Sequence, residues 1–204
     1  MTDVMTPSDD ETISAGQVGK IQEDLGAALR KSGLLREPVQ QVIENQSAAL
    51  NTELVAVVRK YVEMVSNIIV RRVPVNILRT PQQALDATGH KQYTNNDVVA
   101  AMPKGAGGEV EVHFFKLDRY ISENDLEDEY ASHGLKPVDP YSLAAVNEAD
   151  PAFADEYPNS THWKDAAGKW CFAAFRRWGV GRGLDVGRGD DVWSVSWWFA
   201  GVRK

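Results

Sequence analysis

The stretch from residue 176 to residue 204 constrains the fold of this chain most, because two kinds of residue alternate along it. From Arg182 to Asp191, an Arg, Leu, Val or Asp alternates strictly with a Gly or Asp. A period of two places successive side chains on opposite faces of an extended strand. The pattern therefore predicts a strand with one fixed face and one face of small, chemically arbitrary residues. Such a strand suits a scaffold that displays an interchangeable surface better than it suits an enzyme.

Large aromatic residues surround the alternating segment and are expected to hold it in place. Buried indole rings contribute large apolar areas, so a frame that is rich in tryptophan stays folded whatever the exposed side chains are. Five of the six tryptophans are predicted to form this scaffold: Trp170, Trp178, Trp193, Trp197 and Trp198.

The composition is that of a soluble globular protein, with 43% apolar and 25% charged residues. No stretch is apolar enough to span a bilayer, and the first residues lack the basic start and apolar core of a secretory signal. The single Cys171 excludes an intramolecular disulfide and a cysteine-rich zinc site. We therefore expect a cytoplasmic or virion-associated protein with no membrane partner. The net charge of -7 argues against nucleic acid as a partner, because phosphate binding needs a basic face.

The first third of the chain predicts disorder followed by helices. Residues 1–13 are polar and acidic and are expected to be disordered. Residues 14–69 form a predicted helical region, in which apolar residues recur at three- and four-residue steps. A first helix is expected over 15–32 and a longer one from about Glu37 to Arg71.

The apolar stripe of the longer helix leaves two alternatives open. Such a helix cannot bury its stripe alone. The first helix can fold back on it to give an intramolecular hairpin packed on the main domain, or residues 15–71 can form a homo-oligomeric bundle.

Residues 70–204 predict an α+β domain, because helical periodicity shrinks to short pieces and strands with long loops follow. The predicted short helices cover 84–88, 98–102, 125–130 and 141–147, and the predicted strands cover 109–117, 169–175 and two segments near the end. Turn-forming residues between 150 and 163 predict an irregular surface loop.

Three segments of this domain resemble one protein family. They are His162-Trp163-Lys164-Asp165, the run GKWCFAAF at 168–175, and WWFAGVRK at 197–204. Together with the alternating segment, they resemble the variable proteins of diversity-generating retroelements. The resemblance covers about residues 70–204 and is most specific towards residue 204, and it does not extend to residues 1–63.

The resemblance implies a C-type lectin-type fold, related to that of formylglycine-generating enzymes, and a non-enzymatic ligand-binding function. In the family, a reverse transcriptase copies a template repeat with errors at adenines, and the copy replaces the 3′ end of the variable gene. The ligand implied is a protein or another macromolecule, bound by exposed residues of a hypervariable segment at 176–196. The positions implied to vary and to bind the ligand are Arg176, Gly179, Val180, Gly181, Gly183, Asp185, Gly187, Gly189, Asp191, Val192, Ser194, Val195 and Ser196.

The residue types at these positions agree with adenine-directed change. An Asn codon, AAY, altered only at adenines reaches Gly, Asp and Ser, and an Asp codon, GAY, reaches Gly and Val. Apart from Arg176, the arbitrary set consists entirely of Gly, Asp, Ser and Val. Arg176 is included because AAY can become CGY.

Catalytic and metal-binding motifs are weak, and neither a cofactor nor a metal is expected. The four histidines have no H-E-x-x-H spacing, and Cys171 lies in an apolar strand where a buried, inert thiol is the usual state. The acidic cluster of Asp125, Glu127, Asp128 and Glu129 is expected to be a solvated helix face, with a calcium site as the alternative. The alternative functions are a relative of the formylglycine-generating enzymes and a structural component of a phage or other particle.

Overall fold

The computed structural model describes residues 13–189 and 192–204, which contain helices and a large mixed sheet. The predicted α+β class is confirmed. The chain divides into two compact units between Lys60 and Tyr61. The predicted disordered segment, 1–13, lies outside the described residues except for Ile13.

Helix α1, Ala15–Lys31, begins where the sequence predicts and ends one residue earlier than predicted. The Ser14 hydroxyl accepts a hydrogen bond from the amide of Gln17, and the Gln17 side chain accepts one from the amide of Ser14. This reciprocal cap satisfies two amides that the first turn leaves unpaired. Gly33 follows the last turn with φ +73°, a conformation that costs glycine little and ends the helix.

Helix α2, Arg36–Ser66, leaves its apolar stripe exposed. No residue of α1 or α2 is buried, and Ile43 and Val57 of the stripe are each 53% exposed. None of the described helices has the combination of length and apolar character that crossing a membrane requires.

The second predicted helix is too long, because its last residues belong to the sheet. α2 ends at Ser66, and strand β1, Ile68–Val75, follows directly. The β-branched residues of β1 fit a pleated surface, and β1 pairs antiparallel with β3, which buries Ile69 completely. The predicted boundaries at 69 and 70 are therefore wrong: the sheet already begins at Ile68.

The remaining elements form one large sheet flanked by short helices. The helices are α3 Pro81–Asp86, α4 Asn96–Ala100, α5 Leu126–Ser132, α6 Pro140–Ala149 and α7 Phe153–Glu156. The strands are β2 Lys91–Thr94, β3 Gly108–Lys116, β4 Ile121–Ser122, β5 Leu135–Pro137, β6 Asn159–Lys164, β7 Trp170–Trp178, β8 Gly181–Arg188, β9 Val192–Trp193 and β10 Trp198–Arg203.

The order of the large sheet is β1-β3-β10-β6-β7-β8-β2, and β5 pairs with β10 outside this path. The pairs β10–β6 and β2–β8 are parallel, and the other pairs are antiparallel. A separate small sheet joins β4 to β9. The four predicted short helices are all present as α3 to α6, and the predicted strands at 109–117 and 169–175 are present as β3 and β7.

The predicted irregular loop at 150–163 is wrong, because this stretch contains α7 and the central strand β6. Buried polar side chains of β6 find partners inside the protein. Asn159 accepts a hydrogen bond from the Asn147 amide at 2.9 Å, and the Thr161 hydroxyl donates to the carbonyl of Val138 at 2.6 Å. Polar composition marks a loop only when the polar groups need water, and here the protein itself satisfies them.

Two hydrophobic cores lie on opposite faces of the sheet. Phe114 and Phe175 belong to the first core, whereas their chain neighbours Phe115 and Ala174 belong to the second. Because successive side chains of a strand point to opposite faces, the sheet separates the two cores. The second core also contains Trp193, which links it to the loop between β8 and β10.

Candidate ligand-binding surface

One face of β8 is fixed, as the alternation predicts. Leu184 and Val186 are buried in the first core, with exposed fractions of 0% and 2%. At the two ends of the same face, Arg182 pairs with Asp155 at 2.9 Å and Arg188 pairs with Asp165 at 3.0 Å. Apolar contacts in the middle and ion pairs at both ends therefore hold this face of β8.

The other face of β8 lies in register with side chains from two neighbouring strands. Phe172, Ala174, Arg176 and Trp178 of β7 stand opposite Gly187, Asp185, Gly183 and Gly181. On the other side, Lys91 and Tyr93 of β2 stand opposite Gly183 and Asp185. We call this set, without the buried Ala174, the display face: Lys91, Tyr93, Phe172, Arg176, Trp178, Gly181, Gly183, Asp185 and Gly187.

Arg176 is held firmly within the display face. Its guanidinium carbon lies 3.8 Å from the centre of the Trp178 ring and 5.9 Å from that of Trp197. Its Nη2 donates to the carboxylate of Asp185 at 3.2 Å, and its buried Nε has no hydrogen-bond partner among the described residues. Cation–π contacts and one ion pair thus fix a charged group between two aromatic rings.

Two aromatic rings give the display face exposed area. Tyr93 and Trp178 are each 43% exposed, and their rings meet edge to face with centroids 5.0 Å apart. Trp178 was predicted to belong to the scaffold; it belongs to neither core and lies partly exposed on the display face. The neighbouring glycines leave the ring uncovered, which explains its exposure.

The other predicted scaffold tryptophans differ in how deeply they are buried. Trp193 and Trp198 are 7% exposed and belong to the second and first cores, respectively. Trp197 is half-buried and packs edge to face on Trp193, with ring centroids 5.1 Å apart. Trp170 is also half-buried, and it stacks on His162.

The glycines of the display face differ in the room they leave for a side chain. A Cβ at Gly187 would make ordinary contacts with the Phe172 ring at 3.7 Å, and one at Gly181 would approach only a backbone oxygen at 3.9 Å. Gly183 was predicted to be exposed but is buried, and a Cβ there would lie 3.3 Å from the Trp178 ring. A side chain at 183 therefore requires Trp178 to move by a few tenths of an ångström.

The turn between β7 and β8 is a two-residue hairpin loop made of Gly179 and Val180. Gly179 has φ +53°, so its residue type has a structural reason as well as any functional one. Val180 is fully exposed at the tip of the loop.

The loop after β8 carries the remaining predicted positions. Val192 and Val195 are 61% and 40% exposed, Ser196 is exposed, and Gly189 and Ser194 are half-buried. Asp191 lies outside the described residues.

A buried carboxylate, that of Glu123, anchors this loop. Glu123 is 3% exposed and accepts a hydrogen bond from the indole N–H of Trp193 at 2.9 Å. Its other oxygen lies 2.8 Å from Nδ1 of His162, which is 1% exposed. The backbone pairing of Trp193 with Ile121 holds the same two segments together. Sequence analysis missed Glu123 and its contact with His162, because the two residues are 39 positions apart and Glu123 stands in no recognisable motif.

The acidic cluster on α5 is not only a solvated face. Glu127 lies 2.9 Å from Nε2 of His162, out of line for a hydrogen bond but close enough for an ion pair. Glu129 pairs with Arg119 at 2.7 Å. No group of three or more metal-binding side chains was found among residues 13–189 and 192–204.

Tyr93 was also missed, because β2 has only four residues and pairs with a strand about 90 positions later. Cys171 is buried, and burial raises the pKa of its thiol.

Two aspartates on opposite faces of the sheet have pKa values shifted in opposite directions. Hydrogen bonds from Arg182 lower the pKa of Asp155, and the charge of Arg177 adds to the effect. Burial raises the pKa of Asp185, and the guanidinium of Arg176 opposes part of that rise. The fixed face thus favours an ionised carboxylate, whereas the display face penalises one.

Comparison of the chain with protein-family models, with curated proteins and with solved structures gives no match.

Replacing Glu123 with alanine should lower the free energy of unfolding by about 2–5 kcal/mol, because it leaves buried donors of Trp193 and His162 unpaired. Urea denaturation of the variant and the parent measures the difference. Asp118→Ala is the matched control, since the Asp118 side chain is 80% exposed. Equal losses in the two variants would contradict the anchoring role of Glu123.

Acidification should distinguish Asp155 from Asp185. A lowered pKa stabilises the folded protein above the ordinary aspartate pKa of 3.8, and this stability is lost as the pH falls through the folded pKa. A raised pKa does the reverse, because the folded state then binds the proton more tightly. Asp155→Asn should therefore make the loss of unfolding free energy on acidification less steep than in the parent, and Asp185→Asn should make it steeper. Parallel pH profiles for both variants and the parent would refute these assignments.

Proposed function

We propose that this chain is a non-enzymatic display protein, whose face around β8 binds a macromolecular ligand and is diversified by a retroelement. One observation carries the proposal. The two faces of a single strand differ in packing. Leu184 and Val186 are buried on one face, whereas Gly181 and Gly187 on the other face have room for larger side chains. A strand built in this way keeps its fold while the residues of one face change.

The display face has the chemistry of a protein-binding surface. Tryptophan, tyrosine and arginine dominate the energetics of protein interfaces, and Trp178, Tyr93 and Arg176 stand together here. The glycines contribute little contact area of their own. In this copy the unvaried aromatic rings would therefore supply most of the contact area, and the variable positions would adjust the shape around them.

The same proposal assigns the α+β domain to the C-type lectin type that the resemblance implies. The supporting feature is the position of the predicted variable segment, which covers β8 beside the edge strand β2 and ends just before β10 inside the sheet. The burial of Cys171 is in keeping with a non-enzymatic role, because a buried thiol of raised pKa is a poor nucleophile.

Sequencing the 3′ end of this gene across its source population tests the retroelement. Differences should concentrate at the codons for the predicted variable positions and match adenines in a nearby repeat. The codons for Leu184, Val186 and Trp193 are the internal control, since their side chains are buried. An invariant segment with no repeat nearby would refute diversification.

A randomised library tests the display scaffold independently of the retroelement. Positions 181, 185, 187, 192, 195 and 196 are varied in one library, and Leu184, Val186 and Trp193 in another of equal diversity. Most members of the first library should keep an unfolding free energy within about 0.5 kcal/mol per substitution, because the native side chains at these positions belong to neither core. The second library should lose about 2–5 kcal/mol per substitution. Similar losses in both would refute the display face whatever the population sequences show.

We also propose that residues 15–71 bring copies of the chain together, so that several display faces act at once. The support is the apolar stripe of α2, which includes Ile43, Leu50 and Val57 and lies on a helix with no buried residue. A helix of this length gains most of its stability from packing its apolar face. Linking weak sites raises the overall affinity without new contacts.

Sedimentation equilibrium of the full chain should give a mass above that of one copy, 22.6 kDa. Replacing Ile43, Leu50 and Val57 together by glutamine should return it to one copy, because the apolar seam is lost. The matched control carries glutamine at Asn45, Thr52 and Arg59, which have the same spacing on the opposite side of the helix. A parent that sediments as one copy would refute the bundle.

A further inference from the structure

A pocket of about 470 Å³ lies beside the end of β6, apart from the display face. Its walls combine aromatic, prolyl and charged side chains. They are Pro103, Glu127, Pro137, Val138, Asp139, His162, Trp163, Lys164 and Trp170. Neither the alternating segment nor the proposed display function uses this pocket.

The indole of Trp170 forms a fixed aromatic wall of the pocket. His162 stacks on it with ring centroids 4.4 Å apart and an interplanar angle of 1°. The indole N–H donates to the side chain of Asn124 at 3.0 Å. His162 is itself held by Glu123, so the wall is in place before any ligand arrives.

The ammonium group of Lys164 lies over this wall, 4.4 Å from the centre of the Trp170 ring. A cation over the face of an indole is attracted by the negative charge of the ring face. Lys164 is exposed and sits at the end of β6, so its side chain is free to leave the ring. The ammonium group of Lys164 therefore occupies the position over the Trp170 ring in which the cation of a ligand would bind.

The charges around the pocket favour a further cation. Two carboxylates, Glu127 and Asp139, line it against the single ammonium of Lys164. Asp139 already accepts hydrogen bonds from the amide and hydroxyl of Ser142, and Glu127 lies 2.9 Å from Nε2 of His162 without a hydrogen bond to it. Both supply negative charge to the pocket, and Asp139 has part of its acceptor capacity already used.

We propose that this pocket binds a quaternary ammonium group, which displaces Lys164 from the face of Trp170. A methylated ammonium carries charge without hydrogen-bond donors, so it suits a pocket where the Asp139 carboxylate already accepts two hydrogen bonds. Its methyl groups suit the apolar walls formed by Pro103, Pro137 and Val138.

Calorimetric titration of the full chain with choline tests the proposal. Its carbon isostere, 3,3-dimethyl-1-butanol, has the same shape without the charge. We expect choline to bind and the isostere to bind at least about tenfold more weakly, since only choline gains the cation–π contact. Equal binding of the two, or no binding of choline, would overturn the proposal.

Variants locate the site. Lys164→Gln removes the tethered cation and should strengthen choline binding by about fivefold. Trp170→Leu should weaken it by at least about tenfold, whereas Trp178→Leu on the display face should leave it unchanged. Lys164→Gln alters an exposed side chain and keeps the test valid even if Trp170→Leu fails to fold. Unchanged affinity in Lys164→Gln would place choline elsewhere and refute the site.

A vesicle-binding experiment distinguishes two sources of the quaternary ammonium group, a lipid headgroup and a dissolved small molecule. Sedimentation with phosphatidylcholine vesicles that free choline reverses would assign the ammonium group to a lipid headgroup. Binding of free choline without vesicle association would assign it to a dissolved small molecule. Both results support the pocket, and absence of both overturns it.

Discussion

The buried carboxylate of Glu123 is the contact on which the surfaces of this domain depend. It joins the segment after β4 to the central strand through His162 and to the loop after β8 through Trp193. A carboxylate at 3% exposure is costly to bury unless donors surround it. Because those donors come from distant segments, satisfying the charge also fixes how the segments meet. The backbone pairing of β4 with β9 adds little without this anchor, since it involves only two residues on each side.

Two surfaces of different character rest on this anchor. On one side, His162 orients Trp170, which forms the wall of the pocket beside β6. On the other, Trp193 supports Trp197, which approaches the Arg176 guanidinium of the display face. Strand β7 connects the two surfaces, since it begins at Trp170 and ends at Trp178. If both surfaces bind ligands as proposed, the rigid aromatic side chains lower the entropy that this binding costs.

The two faces of β8 are held differently, and under the proposed function this difference lets the residues of one face change while the strand keeps its fold. Leu184 and Val186 bury apolar area that does not depend on the opposite face. Arg182 and Arg188 add ion pairs at the ends, where solvent limits their contribution. The opposite face holds Asp185 at a partly buried position, where ionisation is penalised and Arg176 offsets part of that penalty. A substitution at position 185 changes the burial penalty and the ion pair with Arg176, and it does not alter the packing of the first core.

The sequence by itself determined the α+β class, the short capped helices and the two-faced character of β8. These features follow from local rules: a period of two, capping side chains, and proline or glycine at element ends. The alternation therefore located correctly a strand with one buried face, β8. It did not show that Trp178 is partly exposed and Gly183 buried, because exposure depends on which side chains neighbouring strands bring to that face.

Only the tertiary structure decided the partners of β8, the course of β6 and the anchoring by Glu123. Tyr93 reaches the display face through a parallel pairing across about 90 residues, and no local pattern encodes such a pairing. β6 is polar in sequence and buried in the fold, since Asn147 and Val138 satisfy its side chains. The last residues of the second predicted helix became β1 because β3 offered them a partner. In each case a non-local hydrogen bond or pairing outweighed the local preference, and such contacts exist only once the chain has folded.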